Sequence, residues 1–313
     1  GENKPGVEKL QMKRDISFSA RSRRREVLMG LLFILPWILG LLIFTLYPVV
    51  ASFILSFTRT GEGSAIKWVG LDNYITAFRE PDFFRAILNT LILSLIGIPV
   101  AQIMSLVAAL LLNVKMKFQG VFRTIFFLPS VVPAVATGLL WKWILNPRLG
   151  PINTFLDSIG LAGPGWLADP AWVKPSLIIM SFWGIGGTMV IYLAGLQNIP
   201  TEYYEAAKLD GAGSWACLKY ITMPMLRPVT LFNTIMAIIT SFQSFSNIII
   251  MLDMDGGMKK AGLVYGLYIY TNAFRDFKMG YSSALAWILL AFTFVSVMLT
   301  YKFFNRSGDQ EVS

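Results

Sequence analysis

Six stretches of this 313-residue chain contain no Asp, Glu, Lys or Arg for eighteen residues or more: 27–58, 86–114, 124–141, 175–201, 228–252 and 279–301. About 20 apolar residues in a helix cross the ~30 Å hydrocarbon layer of a bilayer, so each run is long enough for one span. Within hydrocarbon every backbone N–H and C=O needs an internal partner, which makes such spans helical. The third run is the shortest. It has to draw in Val121, Phe122 and Trp143 beside the flanking Arg123 and Lys142, whose long stems reach toward the interface. With 55% hydrophobic residues and a mean hydropathy of +0.59, an ordinary soluble domain is excluded. The expectation is an all-α, polytopic membrane protein with six transmembrane helices.

Basic residues give the orientation. With the N-terminus in the cytoplasm, the inner segments 1–26, 115–123, 202–227 and 302–313 hold 16 of the 27 Lys and Arg. The bias is densest at Arg21, Arg23, Arg24 and Arg25, directly before the first span, where it weighs most. Both termini and the segment 201–224 are therefore expected inside, with tails at 1–26 and 305–313 around a span domain at 27–304. The net charge of +9 reads as this topology signal rather than as a nucleic-acid footprint. Cys217 is the only cysteine, so neither an intramolecular disulfide nor a Cys-based metal motif is expected. The chain has no histidine, and the apolar runs hold no acid, which leaves a polytopic membrane enzyme little to work with. The first run, 32 residues long, far exceeds a signal-peptide core.

Between the runs, residues 1–20 read as disordered, and Gly61–Ser64 as a turn. Residues 65–85 mix aromatic and charged side chains and are expected to lie at the membrane surface. Pro36, Pro48, Pro99, Pro129 and Pro133 fall inside runs, where kinks follow. The loop 146–174 should be irregular with short helical pieces. Gly184, Gly186 and Gly187 suit either close helix packing or a hinge. The uncharged segment 261–274 is too short to span, and reads as an interfacial or re-entrant helix. No internal repeat is evident, against an inverted-repeat carrier.

The segment 201–224 is polar and set between two spans. Thr201 is expected to cap a first helix, with Glu202 in its first turn. Asp210 and Gly211 should end it, Ser214 should cap a second, and Pro224 should mark the return to the membrane. Ala206 and Ala207 keep one face thin enough to enter a groove, while Glu205 and Asp210 offer carboxylates to basic groups on its wall.

The spacing Glu205-Ala206-Ala207, Gly211, Ile221, Pro224 resembles the coupling loop of bacterial ABC importer permeases, with Met223 where that family usually has Leu. The stretches 123–153, 193–213 and 268–289 are similar to carbohydrate-type permeases of the maltose and glycerol-3-phosphate group, and the likeness runs from about Leu28 to Phe304. The resemblance implies the type I importer permease fold in a compact six-span form, in the inner membrane of a bacterium. It implies as partners a second homologous permease subunit (a heterodimer), an ATPase dimer docked on the coupling loops and an extracytoplasmic solute-binding protein. ATP and Mg would be bound by the ATPase, since no GxxxxGK[ST] occurs in this chain and no cofactor of its own is expected.

For the solute path, the fifth run is the most polar. Asn233, Thr240, Gln243, Ser244 and Asn247 lie there among Phe242 and Phe245, and Asn233, Thr240, Ser244 and Asn247 share one face if the run is one helix. Amides and hydroxyls match the donors and acceptors of a saccharide, but they equally suit hydrogen bonds between helices. Trp183, Tyr192 and Trp287 are weaker candidates, with interface anchoring as the alternative. A charged solute such as glycerol phosphate would call for a buried Arg or Lys in spans four to six, and none is present.

Overall fold

The computed structural model describes residues 26–60, 66–114 and 117–309. The arginine cluster at 21–25, the turn at 61–64 and the end of the C-terminal tail lie outside them. The chain divides into two units, Gly1–Leu55 and Ser56–Ser313. The first holds all but the last residue of helix α1, Glu26–Ser56, which widens into a π-turn at Leu42–Leu46. Pro48 has no N–H and crowds the carbonyl one turn back, and the wider turn just before it accommodates the loss.

The second unit opens with a short antiparallel hairpin, β1 (Thr58–Arg59) and β2 (Lys67–Trp68), followed by α2 (Asp72–Ala77). The buried Asn73 side chain donates to the carbonyls of Ser56 and Thr58, both at 2.8 Å, and Phe57 stacks on Trp68. Residues 66–85 thus form a cross-tied structure with Phe83 wholly buried, while Trp68, Phe78 and Phe84 remain exposed.

Helix α3, Pro81–Asn113, starts with Pro81 in its first turn and runs 33 residues, about 50 Å. Between Phe83 and Leu112 near its ends, its buried residues are small or short: Ala86, Asn89, Thr90, Ser94, Gly97, Ser105, Ala108 and Ala109. Such a stripe lets other backbones approach closely. One core forms along its first half, around Phe83, Trp141, Leu177, Tyr265 and Leu285. A second forms at its far end, where Ala109 and Leu112 meet Met189, Tyr192, Leu196 and Leu226.

Three pairs of helices are bent spans. α4 (Gln119–Val131) and α5 (Ala134–Ile144) meet at 99° around Pro133. After α6 (Pro151–Ser158), α7 (Pro170–Ser181) leads through a 3-10 turn into α8 (Gly186–Gln197), the two bent by 49°. Beyond α9 (Thr201–Leu209), α10 (Ser214–Met225) and α11 (Arg227–Gln243) meet at 62°. Then come α12 (Ser246–Leu252), α13 (Tyr265–Tyr270) and α14 (Met279–Asp309). Helices α1, α3 and α14 are each long and apolar enough to cross a membrane; counting each bent pair as one span makes six. The third run therefore crosses not as one helix but as two, with Val121 and Phe122 in one and Trp143 in the other.

Two expectations are corrected. The fifth run is not one helix. α11 stops at Gln243, Ser244 is extended, and α12 starts afresh at Ser246. α13 causes the break: a Cβ on Gly266 would lie 3.2 Å from the Gln243 carbonyl oxygen, and Phe245 stacks on Tyr270 at 5.0 Å. The second concerns the segment 261–274: of its two readings, burial goes against the interfacial one and fits the re-entrant one. Tyr265 to Tyr268 are buried, and two side chains of α3 tie the segment down. Asn89 Nδ2 donates to the carbonyls of Lys260 (3.1 Å) and Leu263 (3.0 Å), and Thr90 Oγ1 accepts from the Tyr265 N–H (2.8 Å). Of the three glycines of span four, Gly186 serves packing. A Cβ there would lie 2.7 Å from Phe127 Cα, while Gly184 and Gly187 face open space.

If Asn89 holds that segment, Asn89→Leu strands buried carbonyls at a cost of ~1–3 kcal/mol. The purified protein should then melt several degrees lower, at about 2–4 °C per kcal/mol for this size. An unchanged thermal melt in detergent would show that these bonds do not hold it.

Candidate functional site: a docking loop and a polar cavity

The loop between α8 and α11 is shaped by backbone chemistry. α9 ends in a Schellman motif: Gly211 adopts φ +81°, the Ala212 N–H reaches back to the Ala207 carbonyl (2.8 Å), and the Gly211 N–H to that of Lys208 (3.1 Å). Both helix starts fall one residue earlier than expected. Pro200, extended at ψ 134°, occupies the cap of α9, and Gly213, at ψ 170°, that of α10. Thr201 and Ser214 are already helical, and neither cap makes a side-chain bond.

The inner side of the loop is seated. Tyr204 Oη and Thr222 Oγ1 are 2.9 Å apart, linking α9 to α10, and Tyr204 and Ile221 pack on the core of Leu196, Ile199 and Leu226. Pro224 is half-buried. The outer side is bare. Glu205, Ala206, Asp210 and Gly211 are exposed, Ala207 half-buried, and Leu209 and Trp215 stand out at 90% and 76% exposure. These two large apolar side chains were passed over in the sequence because nothing there separates an outward Leu or Trp from a packed one. Cys217, by contrast, is buried at 9% exposure.

Deeper in the molecule a cavity of about 510 Å³ lies among α3, the two bent pairs α4–α5 and α7–α8, α11 and α12. Thr240, Ser244, Asn247 and Trp183 all line it. Asn247 Oδ1 and Trp183 Nε1 are buried without a hydrogen-bond partner, one an acceptor and the other a donor. Trp141 packs edge-to-face on Trp183 at 6.1 Å. Ser241, also lining the cavity, is bonded to Ser94 at 2.7 Å.

The other four path candidates are elsewhere. Asn233 is buried, and its amide nitrogen has no partner. Tyr192, 1% exposed, donates to Gln102 Oε1 at 2.7 Å within the second core, so it ties α8 to α3. Gln243 is exposed at the end of α11, outside the cavity, and Trp287 is half-buried on α14, also outside it. The shared face expected for Asn233, Thr240, Ser244 and Asn247 is lost because the helix stops at Gln243. Thr137 supplies a further cavity hydroxyl, from a helix too apolar to draw notice in the sequence, while Thr90 lines the cavity with its hydroxyl already taken up by the Ala86 carbonyl and the Tyr265 N–H. Among the described residues no group of three or more metal-ligating side chains occurs.

Residues 101–308 match the family described as binding-protein-dependent transport system inner membrane component, and the chain belongs to it. It is 36% identical over 291 residues to a probable ABC transporter permease protein, YesP, of Bacillus subtilis (strain 168), covering 92% of this chain and 94% of that one. It is 37% identical over 277 residues to the lactose transport system permease protein LacF of Rhizobium radiobacter, covering 87% and 92%. Among solved structures, it resembles a chain of a bacterial ABC transporter involved in the import of the acidic polysaccharide alginate. There the TM-score is 0.80 at 27% identity, with 93% of this chain and 99% of that one covered. The fold is thus the type I permease fold expected from the loop, and the chain is a membrane-embedded transport subunit rather than an enzyme.

The burial of Cys217 bears on labelling. In the solubilised protein, a hydrophilic maleimide should modify Ser214→Cys, placed in a Cys217→Ser background, faster than native Cys217 by on the order of tenfold. The buried thiol reacts only through a local opening, and one that costs ~1.4 kcal/mol gives that factor. Equal rates would refute the seating of α10.

Proposed function

We propose that this chain is one of two permease subunits, in a heterodimer, of an ATP-driven importer that moves a saccharide delivered by an extracytoplasmic binding protein. The observation that carries the reading is the two-sided loop 201–224, its inner side locked to the span core and its outer side presenting Glu205, Asp210, Leu209 and Trp215. A surface so rigidly backed and so openly apolar is built for a groove on another protein. In this reading the groove belongs to an ATPase subunit, which binds ATP and Mg. Closing of the ATPase pair moves the loop, and the loop moves α10 and α11 with it. Both termini lie on the same cytoplasmic side as the loop, in keeping with the arginine cluster before α1.

The solute class follows from the cavity. Its lining contains hydroxyls, an amide and Trp183 but no charged side chain, and two of its polar atoms lack partners. An uncharged, hydroxyl-rich solute supplies both a donor for Asn247 and an acceptor for Trp183. A lactose permease among the relatives agrees with this; the alginate importer among the structures keeps acidic saccharides in the test.

Three measurements check the reading. In sealed cells carrying Ser214→Cys and Cys217→Ser, an impermeant maleimide should label only after permeabilisation; labelling from outside would reverse the orientation. In vesicles containing the assembled transporter, Glu205→Ala and Gly211→Val should remain inserted but separate ATP hydrolysis from uptake. The first removes a charged hydrogen-bonding group worth ~1.5–3 kcal/mol, and the second forces a β-branched residue to positive φ at ~1–3 kcal/mol. Wild-type coupling in both would refute the docking role. Uptake should be tested with lactose, maltotriose and an alginate trisaccharide; Asn247→Leu should abolish transport of whichever moves while ATPase association survives. Normal uptake in that variant places the path elsewhere.

A further inference from the structure

A second cavity, about 550 Å³, opens beside the start of α3. Asp82 at its rim and Leu112 beside the loop core are 30 residues apart on one helix, about 45 Å, so this cavity lies at the opposite end of α3 from the docking loop. It is enclosed by the β1–β2 hairpin, α2, the first turn of α3 and the segment 254–281.

Its floor is polar and buried. Tyr268, Thr271, Asn272 and Tyr281 are each less than a tenth exposed. The Tyr268 and Tyr281 hydroxyls lie 3.1 Å apart, so one proton joins them and the other is left to donate outward. Burial pushes the Tyr268 hydroxyl pKa upward, which keeps it a neutral donor and acceptor. Asn272 gives one amide hydrogen to the Tyr268 carbonyl (2.9 Å) and its side chain also bonds the Tyr268 hydroxyl, which leaves its carbonyl oxygen as an acceptor.

The walls carry both signs. Lys260 is paired with Asp82, Arg275 is held by Asp276 (2.9 Å) and Asp255 (2.7 Å), and Arg59 is paired with Asp72 outside the lining; Lys67, Lys278 and Glu80 complete the charged set, so that apart from Arg59 four basic side chains face four acidic ones. Equal numbers of the two signs leave little net field to select an ion, while unused donors and acceptors remain on the floor. A ligand rich in neutral hydroxyl groups fits such a lining better than an anion or a cation does.

The two cavities share a partition. Leu263 lines this one and the adjacent Val264 lines the deeper one, in the segment that Asn89 and Thr90 of α3 tie down. We infer that the cavity at the start of α3 is a staging site for an uncharged saccharide, occupied before the solute passes α13 into the deeper cavity. The inference rests on the saccharide reading above and adds a second site in series with it.

The test uses the assembled transporter in nanodiscs without ATP, with lactose and maltotriose as probes read by saturation-transfer NMR. Wild type should give saccharide signals. Tyr281→Phe, which removes one oxygen, and Asn272→Ser should each weaken binding by about fivefold, the loss expected from a hydrogen bond or two. Asn247→Leu should leave this binding in place while stopping uptake. Thermal melts establish that each variant is folded, and Tyr281→Phe alone decides if Asn272→Ser is not. Binding that survives both outer variants but vanishes in Asn247→Leu overturns the staging site and leaves the saccharide permease standing. Intact saccharide binding with a raised half-saturating concentration of loaded binding protein would show instead that the cavity seats a protein loop, and would also overturn it. If neither probe binds and no saccharide of the panel is taken up, the saccharide reading itself falls, and the staging site with it.

Discussion

Two side chains on consecutive positions of α3 satisfy the backbone of a segment that is neither helix nor surface where it enters the core. Asn89 takes up the carbonyls of Lys260 and Leu263, and Thr90 takes up the N–H of Tyr265. In apolar surroundings irregular backbone persists only where protein groups replace the missing water. With those bonds in place α13 lies inside the fold; inside, it presses on the Gln243 carbonyl, ends α11 and turns Ser244 and Asn247 toward the deeper cavity. The cavity lining, the break in the fifth run and the partition between the two cavities all descend from that anchoring.

The loop works by a different division of labour. Its Schellman turn sets the chain direction between α9 and α10 through backbone bonds, and the side chains Glu205, Leu209 and Trp215 stay exposed. The Tyr204–Thr222 bond and the packing of Ile221 join the loop to Leu226, next to the 62° junction of α10 with α11. In the proposed docking role, a hinge at that junction would move the half of the span that bears Thr240 and Ser241.

Much of this was legible in the residue order, because charge-free runs and the Glu205–Pro224 spacing are local signals. The six runs, the turn at Gly211 and the short helices on either side of it follow from the chain alone. What was missed arises from contacts distant in sequence. No proline or glycine marks the end of α11; α13, more than twenty residues on, ends it. The helix starts at Pro200 and Gly213 were misplaced by one residue because Thr and Ser are the commoner caps. Asn233 and Tyr192 looked like path residues because polarity in a span is rare whether it meets solute or another helix, and only the fold shows them clear of the cavity, with Tyr192 bonded to Gln102.

The close approach at Gly186 has a mechanical meaning. There the backbone of α8 meets that of α4 at Phe126 and Phe127 with no side chain between them. Interdigitated side chains resist rotation, since every knob must leave its hole; a bare backbone contact has no knobs. Such a point acts as a fulcrum, where two helices roll against each other while their separation stays constant. With the 99° elbow of α4–α5 on one side and the 49° bend of α7–α8 on the other, the walls of the deeper cavity are levers that share one pivot.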